Sequence, residues 1–180
     1  AGAVDCWGDN GNGQATDQPG PYTQVSAGLY HTCALTPVGT VDCWGYNYEG
    51  QADDQPGPYS QISAGSLHNC ALTSTGAADC WGRNIEGQAD DQPGPYSQIS
   101  AGGYHNCALT STGAVDCWGN NGNGQATDQP GPYGPYTPVA DLTIVKQVSG
   151  VLAAYDWSFD FTGDLGPFSL SKADPDATFT

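Results

Sequence analysis

The sequence predicts an all-β protein made of tandem 37-residue repeats, followed by a short β segment of a different kind. Two observations support this prediction. Four cysteines recur at intervals of 37 residues, each within an Asp-Cys-Trp-Gly motif: Cys6, Cys43, Cys80 and Cys117. In addition, every unit repeats stretches in which apolar residues alternate with polar ones, and no stretch has helical periodicity. Self-similarity at a fixed period of this length is typical of repeat architectures.

Each unit contains three short segments that alternate with the period of a β-strand. In the first complete unit these are residues 22–27, 31–36 and 40–44. A short loop with Gly39 in the last turn position joins the second and third segments, which indicates a β-hairpin. Residues 45–58 are rich in Asn, Gly, Asp and Pro, and they predict a long connecting loop with one short edge strand.

The predicted hairpin places two cysteines of each unit opposite each other. The expected disulfides are Cys33–Cys43, Cys70–Cys80 and Cys107–Cys117. Two alternatives are bridges between successive units, such as Cys43 to Cys70, and zinc ligation, which the ten-residue spacing without a Cys-x-x-Cys pair disfavours. Because disulfides persist only in oxidising compartments, we expect the chain to be extracellular or at the cell surface. Cys6 has no partner under this pairing, so we expect it to be unpaired or to form an intermolecular bond.

The charge of the chain excludes several classes of partner. The net charge is −16, and the only cations are Arg83, Lys146 and Lys172. Nucleic-acid binding requires a basic surface that neutralises phosphates, so we expect no nucleic-acid partner. No apolar run approaches the roughly 20 residues that cross a bilayer, so we expect no membrane span in this chain.

Several repeated polar residues could carry chemistry, and in each case a structural role is the stronger interpretation. His31, His68 and His105 occupy one repeat position and could be metal ligands or bases. They are more simply structural hydrogen-bonding residues, because equivalent positions on successive units lie too far apart for one ion. Aspartates recur at two positions of the repeat, so the members of each set lie in similar environments. Acid–base catalysis by a pair of carboxylates needs two different environments at one site. The repeated aspartates are therefore better explained by hydrogen bonds at turns and strand ends.

Cofactors are not expected, with calcium as the one weak alternative. Residues 9–13 hint at a calcium loop, but the spacing and a late Glu ligand are missing. We expect no other metal. The four repeated tryptophans are candidate ligand-facing aromatics, with packing between units as the competing role: Trp7, Trp44, Trp81 and Trp118. The sequence contains no catalytic triad arrangement, phosphate loop or dinucleotide fingerprint, so we expect no enzymatic activity.

Three runs of sequence resemble the signature of the regulator of chromosome condensation repeat family. They are residues 25–35, 62–72 and 99–109, and the Trp-Gly-x-Asn-x-x-Gly-Gln stretch that follows each fits the same family. The cysteines resemble those of a short form in bacterial surface proteins. The resemblance implies that each repeat forms one blade of a β-propeller, whose usual closed form has seven blades. Three complete units and a partial one therefore predict a partial propeller, a propeller completed by other copies, or an open array.

After residue 139 the pattern changes. We predict tandem repeats over residues 1–139, with a partial unit at 1–24 and units starting at residues 25, 62 and 99. Residues 140–180 are similar to part of a small β-sandwich module of bacterial surface proteins, with an immunoglobulin-like or prealbumin-like fold that is incomplete here. Its strand candidates are residues 142–148, 156–161, 168–170 and 177–180.

Together these features predict a non-enzymatic extracellular structural or adhesive repeat protein. It would be part of a bacterial surface protein or of an extracellular assembly such as a filament. Its expected partners are copies of itself or neighbouring segments of a larger surface protein, because incomplete units leave strand edges that invite pairing. The alternative is a propeller module that binds a protein or glycan ligand.

Overall fold

The structure of the chain is a computed structural model that describes residues 2–132 and, nearer the C-terminus, two strands. The chain divides into two compact units, residues 1–137 and 138–180. The described residues form strands, turns and loops without any helix, which confirms the all-β class. Consequently no helix in this described part could cross a membrane.

The strands of the first unit form three three-stranded sheets and one two-stranded sheet. In chain order they are β1 (Gly2–Val4), β2 (Gln18–Tyr22), β3 (Gln24–Ala27), β4 (His31–Leu35), β5 (Val41–Gly45), β6 (Tyr59–Ala64), β7 (His68–Thr73), β8 (Ala78–Gly82), β9 (Tyr96–Ala101), β10 (His105–Thr110) and β11 (Val115–Gly119). All pairings are antiparallel. We call the sheet β3-β4-β5 blade 1, β6-β7-β8 blade 2 and β9-β10-β11 blade 3. The described blades do not close into a ring.

Each blade is centred on the hairpin that the sequence predicts. In blade 1 the turn is closed by Thr36 N–H, which donates to Thr40 O at 2.9 Å. Gly39 in this turn has a φ of 89°, which L-residues with a side chain rarely adopt. The turn sets the register of β4 and β5, so that Cys33 lies directly opposite Cys43 with 4.1 Å between the Cα atoms.

The long loop after each hairpin contributes an outer edge to the same blade. Gln55 and Val41 exchange two backbone hydrogen bonds of 2.8 and 2.9 Å, and Tyr59 N–H donates to Gly39 O at 2.8 Å. In the first copy the corresponding segment is β2, which pairs with β1. The sheet β1-β2 is therefore equivalent to the outer half of a blade.

The core lies between neighbouring blades. Cys33, Leu35 and Val41 of blade 1 pack against Ile62 and Ala71 of blade 2, and all five are buried. The equivalent cluster between blades 2 and 3 consists of Cys70, Leu72, Ala78, Ile99 and Ala108. Each sheet thus buries its apolar face against the next sheet, and stability is expected to come from these nearest-neighbour interfaces.

The second unit contains one described pair of strands, β12 (Ser158–Phe161) and β13 (Phe168–Ser171), which run antiparallel. They coincide with two of the four strand candidates in this segment. The other two candidates, at residues 142–148 and 177–180, and the β-sandwich assignment lie outside the described residues.

Candidate binding surface

A buried polar ladder joins each blade to the next. His31 Nε2 of blade 1 lies 2.7 Å from Asn69 Oδ1 of blade 2, and Asn69 Nδ2 donates to Gln51 O at 2.7 Å. His68 and Asn106 repeat the contact between blades 2 and 3 at 2.9 Å. These side chains are almost completely buried. Because an unpaired polar group is costly in such an interior, the ladder specifies how consecutive blades dock.

Two further side chains extend the ladder along the first strand of each blade. Gln24 uses its amide to donate to Ile62 O and to accept from Ile62 N–H, both at 3.1 Å. Ser26 Oγ accepts a hydrogen bond from Ala64 N–H at 2.9 Å. Gln61 and Ser63 make the same contacts to blade 3. Side chains of one blade therefore satisfy backbone groups of the next across the interface.

The repeated histidines serve this interface and are inaccessible to a ligand in blades 1 and 2. Desolvation lowers the pKa of His31 and of His68 below the usual value, because burial disfavours the imidazolium. Close packing against a glycine adds to their confinement. A Cβ atom at Gly65 would lie 2.3 Å from His68 Cε1 and 2.5 Å from Gly102 O. Their position supports a structural role rather than metal binding or base catalysis.

One aspartate ladder holds the outer edge of each blade. Asp54 Oδ1 accepts a hydrogen bond of 2.8 Å from the backbone N–H of Cys43. The same bond forms in the other three copies, from Cys6 to Asp17, from Cys80 to Asp91 and from Cys117 to Asp128. These carboxylates fasten the connecting loop to the disulfide-bearing strand, in keeping with the predicted strand-end role.

Three cysteine pairs lie at disulfide distance, each across the central hairpin of a blade: Cys33–Cys43, Cys70–Cys80 and Cys107–Cys117. Cys6 has no sulfur partner among the described residues. Partial burial raises the pKa of its thiol, and the nearby carboxylates of Asp17 and Asp5 add to that effect. A raised pKa disfavours the reactive thiolate form.

The other aspartate ladder lies beside the tryptophans in what we call the edge clusters, each made of a Tyr, an Asp and a Trp. In the cluster of blade 1, the OH of Tyr22, at the end of β2, donates to Asp42 Oδ2 on β5 at 3.1 Å, and the Tyr22 and Trp44 ring centroids are 6.4 Å apart. The equivalent ring pairs are Tyr59–Trp81 at 6.4 Å and Tyr96–Trp118 at 6.1 Å. All three residues of each cluster are half-buried.

The candidate tryptophans are thus not equivalent. Trp81 and Trp118 also pack against the interblade core. Trp7 is 86% exposed and has no tyrosine beside it among the described residues. The sequence groups the tryptophans with tyrosines of the same period as possible stacking platforms, but it does not join either of them to the aspartates. The signal was present in the constant spacing, because Tyr, Asp and Trp keep the 37-residue period together.

Almost all of the charged side chains in the described residues are acidic. Arg83 is the only lysine or arginine among these residues, and the guanidinium lies 5.6 Å from the centre of the Tyr104 ring rather than beside a carboxylate. Within residues 2–132 no group of three His, Cys, Asp or Glu side chains is arranged to hold a metal ion. In the loop at residues 9–13, the calcium alternative of the sequence, Asp9 accepts hydrogen bonds from Gly11 N–H and Gln14 Nε2.

Comparisons with solved structures agree with this architecture. The ectodomain of the Arabidopsis thaliana receptor kinase ACR4 is 36% identical, with a TM-score of 0.52, over 63% of this chain and 45% of that chain. The Physcomitrella patens receptor kinase CR4 ectodomain is 32% identical over 63% of this chain and 34% of its own, also with a TM-score of 0.52. Prp20p of Saccharomyces cerevisiae shares the fold at 17% identity, with a TM-score of 0.56, over 71% of this chain and 44% of its own.

The chain therefore spans less than half the length of these structures. No curated protein sequence matches it significantly. A family model does match, in three stretches at residues 22–51, 59–88 and 96–125, which together make up half of the chain. Each stretch begins at the tyrosine of an edge cluster and extends through the disulfide-bearing hairpin. The chain belongs to the regulator of chromosome condensation (RCC1) repeat family.

Proposed function

We propose that this chain is a non-enzymatic structural or adhesive repeat protein of the cell surface or extracellular space, which builds larger assemblies by blade-to-blade packing. Its setting is an oxidising compartment, because three disulfides hold its hairpins. The repeats form the associating region, and residues 140–180 form a separate surface module. A bacterial surface protein or an extracellular filament fits this design.

The observation that carries the proposal is a face of blade 1 that no described residue covers, although the equivalent faces of blades 2 and 3 are covered. Val25 of blade 1 is 49% exposed, whereas the equivalent residues Ile62 and Ile99 are 1% and 5% exposed because a preceding blade covers them. In blade 3, Gln98 and Ser100 occupy the positions whose side chains bond to the next blade in blades 1 and 2. Neither of them bonds to another blade within the described residues. Blade 3 of one copy is therefore complementary to blade 1 of another, and repetition of this contact gives an open array.

Sedimentation velocity of the full chain at physiological salt tests this proposal. We expect association that grows with concentration from micromolar to millimolar. Val25→Asp should weaken it by placing a charge in the interface, whereas Val38→Asp should not, because Val38 is 77% exposed on the hairpin turn. A chain that stays monomeric at every concentration, or equal effects of the two variants, would contradict the assembly function.

A second candidate function is a binding module for a protein or glycan, and the edge clusters favour it. Aromatic side chains with a polar group at one end are enriched in binding surfaces. Among structures of the same fold, Prp20p is described with binding properties to Gsp1p and histones. Two experiments test this function: a pull-down from extracellular material and a glycan array. Each is carried out with the wild-type chain and with the Trp44→Leu variant. Retention of no ligand by either method would count against it.

A further inference from the structure

The edge clusters combine two features that favour an organic cation. In blade 1 the Tyr22 and Trp44 rings lie side by side with an angle of 37° between their planes, beside the Asp42 carboxylate. Aromatic faces attract cations through their quadrupole, and guanidinium groups stack on them especially well. Within the described residues the Asp42 carboxylate accepts one hydrogen bond, from Tyr22, so it keeps capacity for further donors.

Each cluster has a second carboxylate nearby. Burial raises the pKa of the Tyr22 phenol, and the negative charges of Asp42 and Asp54 add to this shift. Asp54 is exposed, with one oxygen bonded to a backbone N–H. In the other two clusters burial likewise raises the pKa of Tyr59, with Asp79 and Asp91 adding to the shift, and that of Tyr96, with Asp116 and Asp128 adding to it.

No cation of the described chain neutralises these clusters. Arg83, the single described Lys or Arg, packs on the Tyr104 ring instead. Three successive blades thus present the same unneutralised aromatic and acidic group. Such a field attracts cationic partners and steers their approach. A small inorganic cation is a poorer match, because no three ligating side chains converge within the described residues.

We propose that the edge clusters of blades 1 to 3 form a docking surface for an arginine-bearing peptide segment of a protein partner, with one guanidinium on each cluster. The guanidinium stacks on the Tyr and Trp rings and donates to the Asp carboxylate, which its planar fork of donors suits. Three equivalent clusters act together, so a partner with several arginines binds more tightly than one with a single arginine. This proposal rests on the binding-module function above and names its partner class.

The first copy of the repeat supplies a matched control within the same chain. Asp5 and Trp7 occupy the positions of Asp42 and Trp44, but no tyrosine lies beside them in the described part. Asp5→Asn therefore changes the net charge as Asp42→Asn does, and Trp7→Leu removes the same side chain as Trp44→Leu. Only the variants at positions 42 and 44 alter a complete edge cluster.

The test measures fluorescence anisotropy of a labelled peptide with three arginines separated by Gly-Ser spacers, titrated with the full-length chain. We expect saturable binding, and none for the peptide with citrulline in place of arginine. Asp42→Asn should weaken binding by about 10-fold, and Trp44→Leu by about 5-fold. Asp5→Asn and Trp7→Leu should stay within about 2-fold of the wild type, the range expected of an isolated surface charge or contact. Thermal unfolding of all four variants verifies that they are folded.

Three outcomes would overturn the proposal. They are no binding of the arginine peptide, equal binding of the citrulline peptide, and equal weakening by the variants at positions 5 and 42, which would indicate diffuse charge attraction. The pull-down and glycan array separate this failure from a failure of the binding function. Retention of an uncharged glycan, for example, would contradict the arginine-bearing partner but would still support a binding module.

Discussion

Replacing Asn69 by alanine should lower the free energy of unfolding by more than the loss of one ordinary hydrogen bond would. Asn69 is completely buried between blades 1 and 2, where it accepts from His31 Nε2 and donates to Gln51 O. The alanine variant leaves both of these buried groups without a partner. Each orphaned buried polar group costs about 1–3 kcal/mol, so we expect a loss of about 3–5 kcal/mol in the free energy of unfolding.

Blade 1 provides the control for this experiment. Thr32 occupies the equivalent position and makes one side-chain hydrogen bond, from Oγ1 to Gln14 O at 2.8 Å. Thr32→Ala should therefore cost about 1 kcal/mol, the value of one partly exposed hydrogen bond. Urea unfolding followed by tryptophan fluorescence measures the free energy of unfolding of both variants. The dependence of that free energy on urea concentration is compared between them to verify a common unfolded state. If Asn69→Ala costs no more than Thr32→Ala, the ladder does not hold the blades together.

Three further predictions concern the same framework. Burial depresses the pKa of His68 in the folded state, so its contribution to stability is complete above its ordinary pKa of 6.5. That contribution is lost as the pH falls from 6.5 toward the folded pKa, by up to about 1.4 kcal/mol per pH unit. Urea unfolding at a series of pH values measures this loss. Gly65→Ala, whose Cβ would meet His68 and a backbone oxygen, should lower the free energy of unfolding by about 3 kcal/mol. Gly103→Ala, with only Ser66 Oγ at 3.5 Å, should leave it nearly unchanged, and equal effects would contradict the steric argument. Removing the Cys70–Cys80 bridge by double serine substitution should cost about 3 kcal/mol in the chain-entropy account, measured by urea unfolding without reductant, and an unchanged midpoint would refute this.

Several features of the fold could be predicted because they depend on local sequence. The alternation of residues 31–36 and 40–44 and the turn at Gly39 predict a hairpin, and a hairpin with that turn has one register. The positions of the cysteines on that hairpin then follow. For the edge strand at Gln18–Tyr22 the repeat predicts only a short strand within a loop, because proline and glycine residues weaken the strand signal.

The candidate binding surface could be predicted only in part. The four tryptophans stand out through their period, and Tyr and Asp keep the same period, but a shared period does not specify that Tyr22 stacks beside Trp44 or bonds to Asp42. These residues are separated by more than half a repeat. Their contact joins β2 to β5, which belong to different sheets, and alternation along a strand does not specify such a contact.

The sequence by itself determined the repeat, the strands within it and the hairpin that carries each disulfide, because all of these follow from interactions within one unit. Only the tertiary structure decided how the units meet. His31 bonds to Asn69 and Gln24 to Ile62, each pair 38 residues apart, one residue more than the period. The pattern of apolar and polar residues states which face of a strand is buried, but not which sheet covers it. For the same reason the sequence does not show that Val25 is exposed and Ile62 is buried, since the exposure of each residue depends on whether another blade covers it.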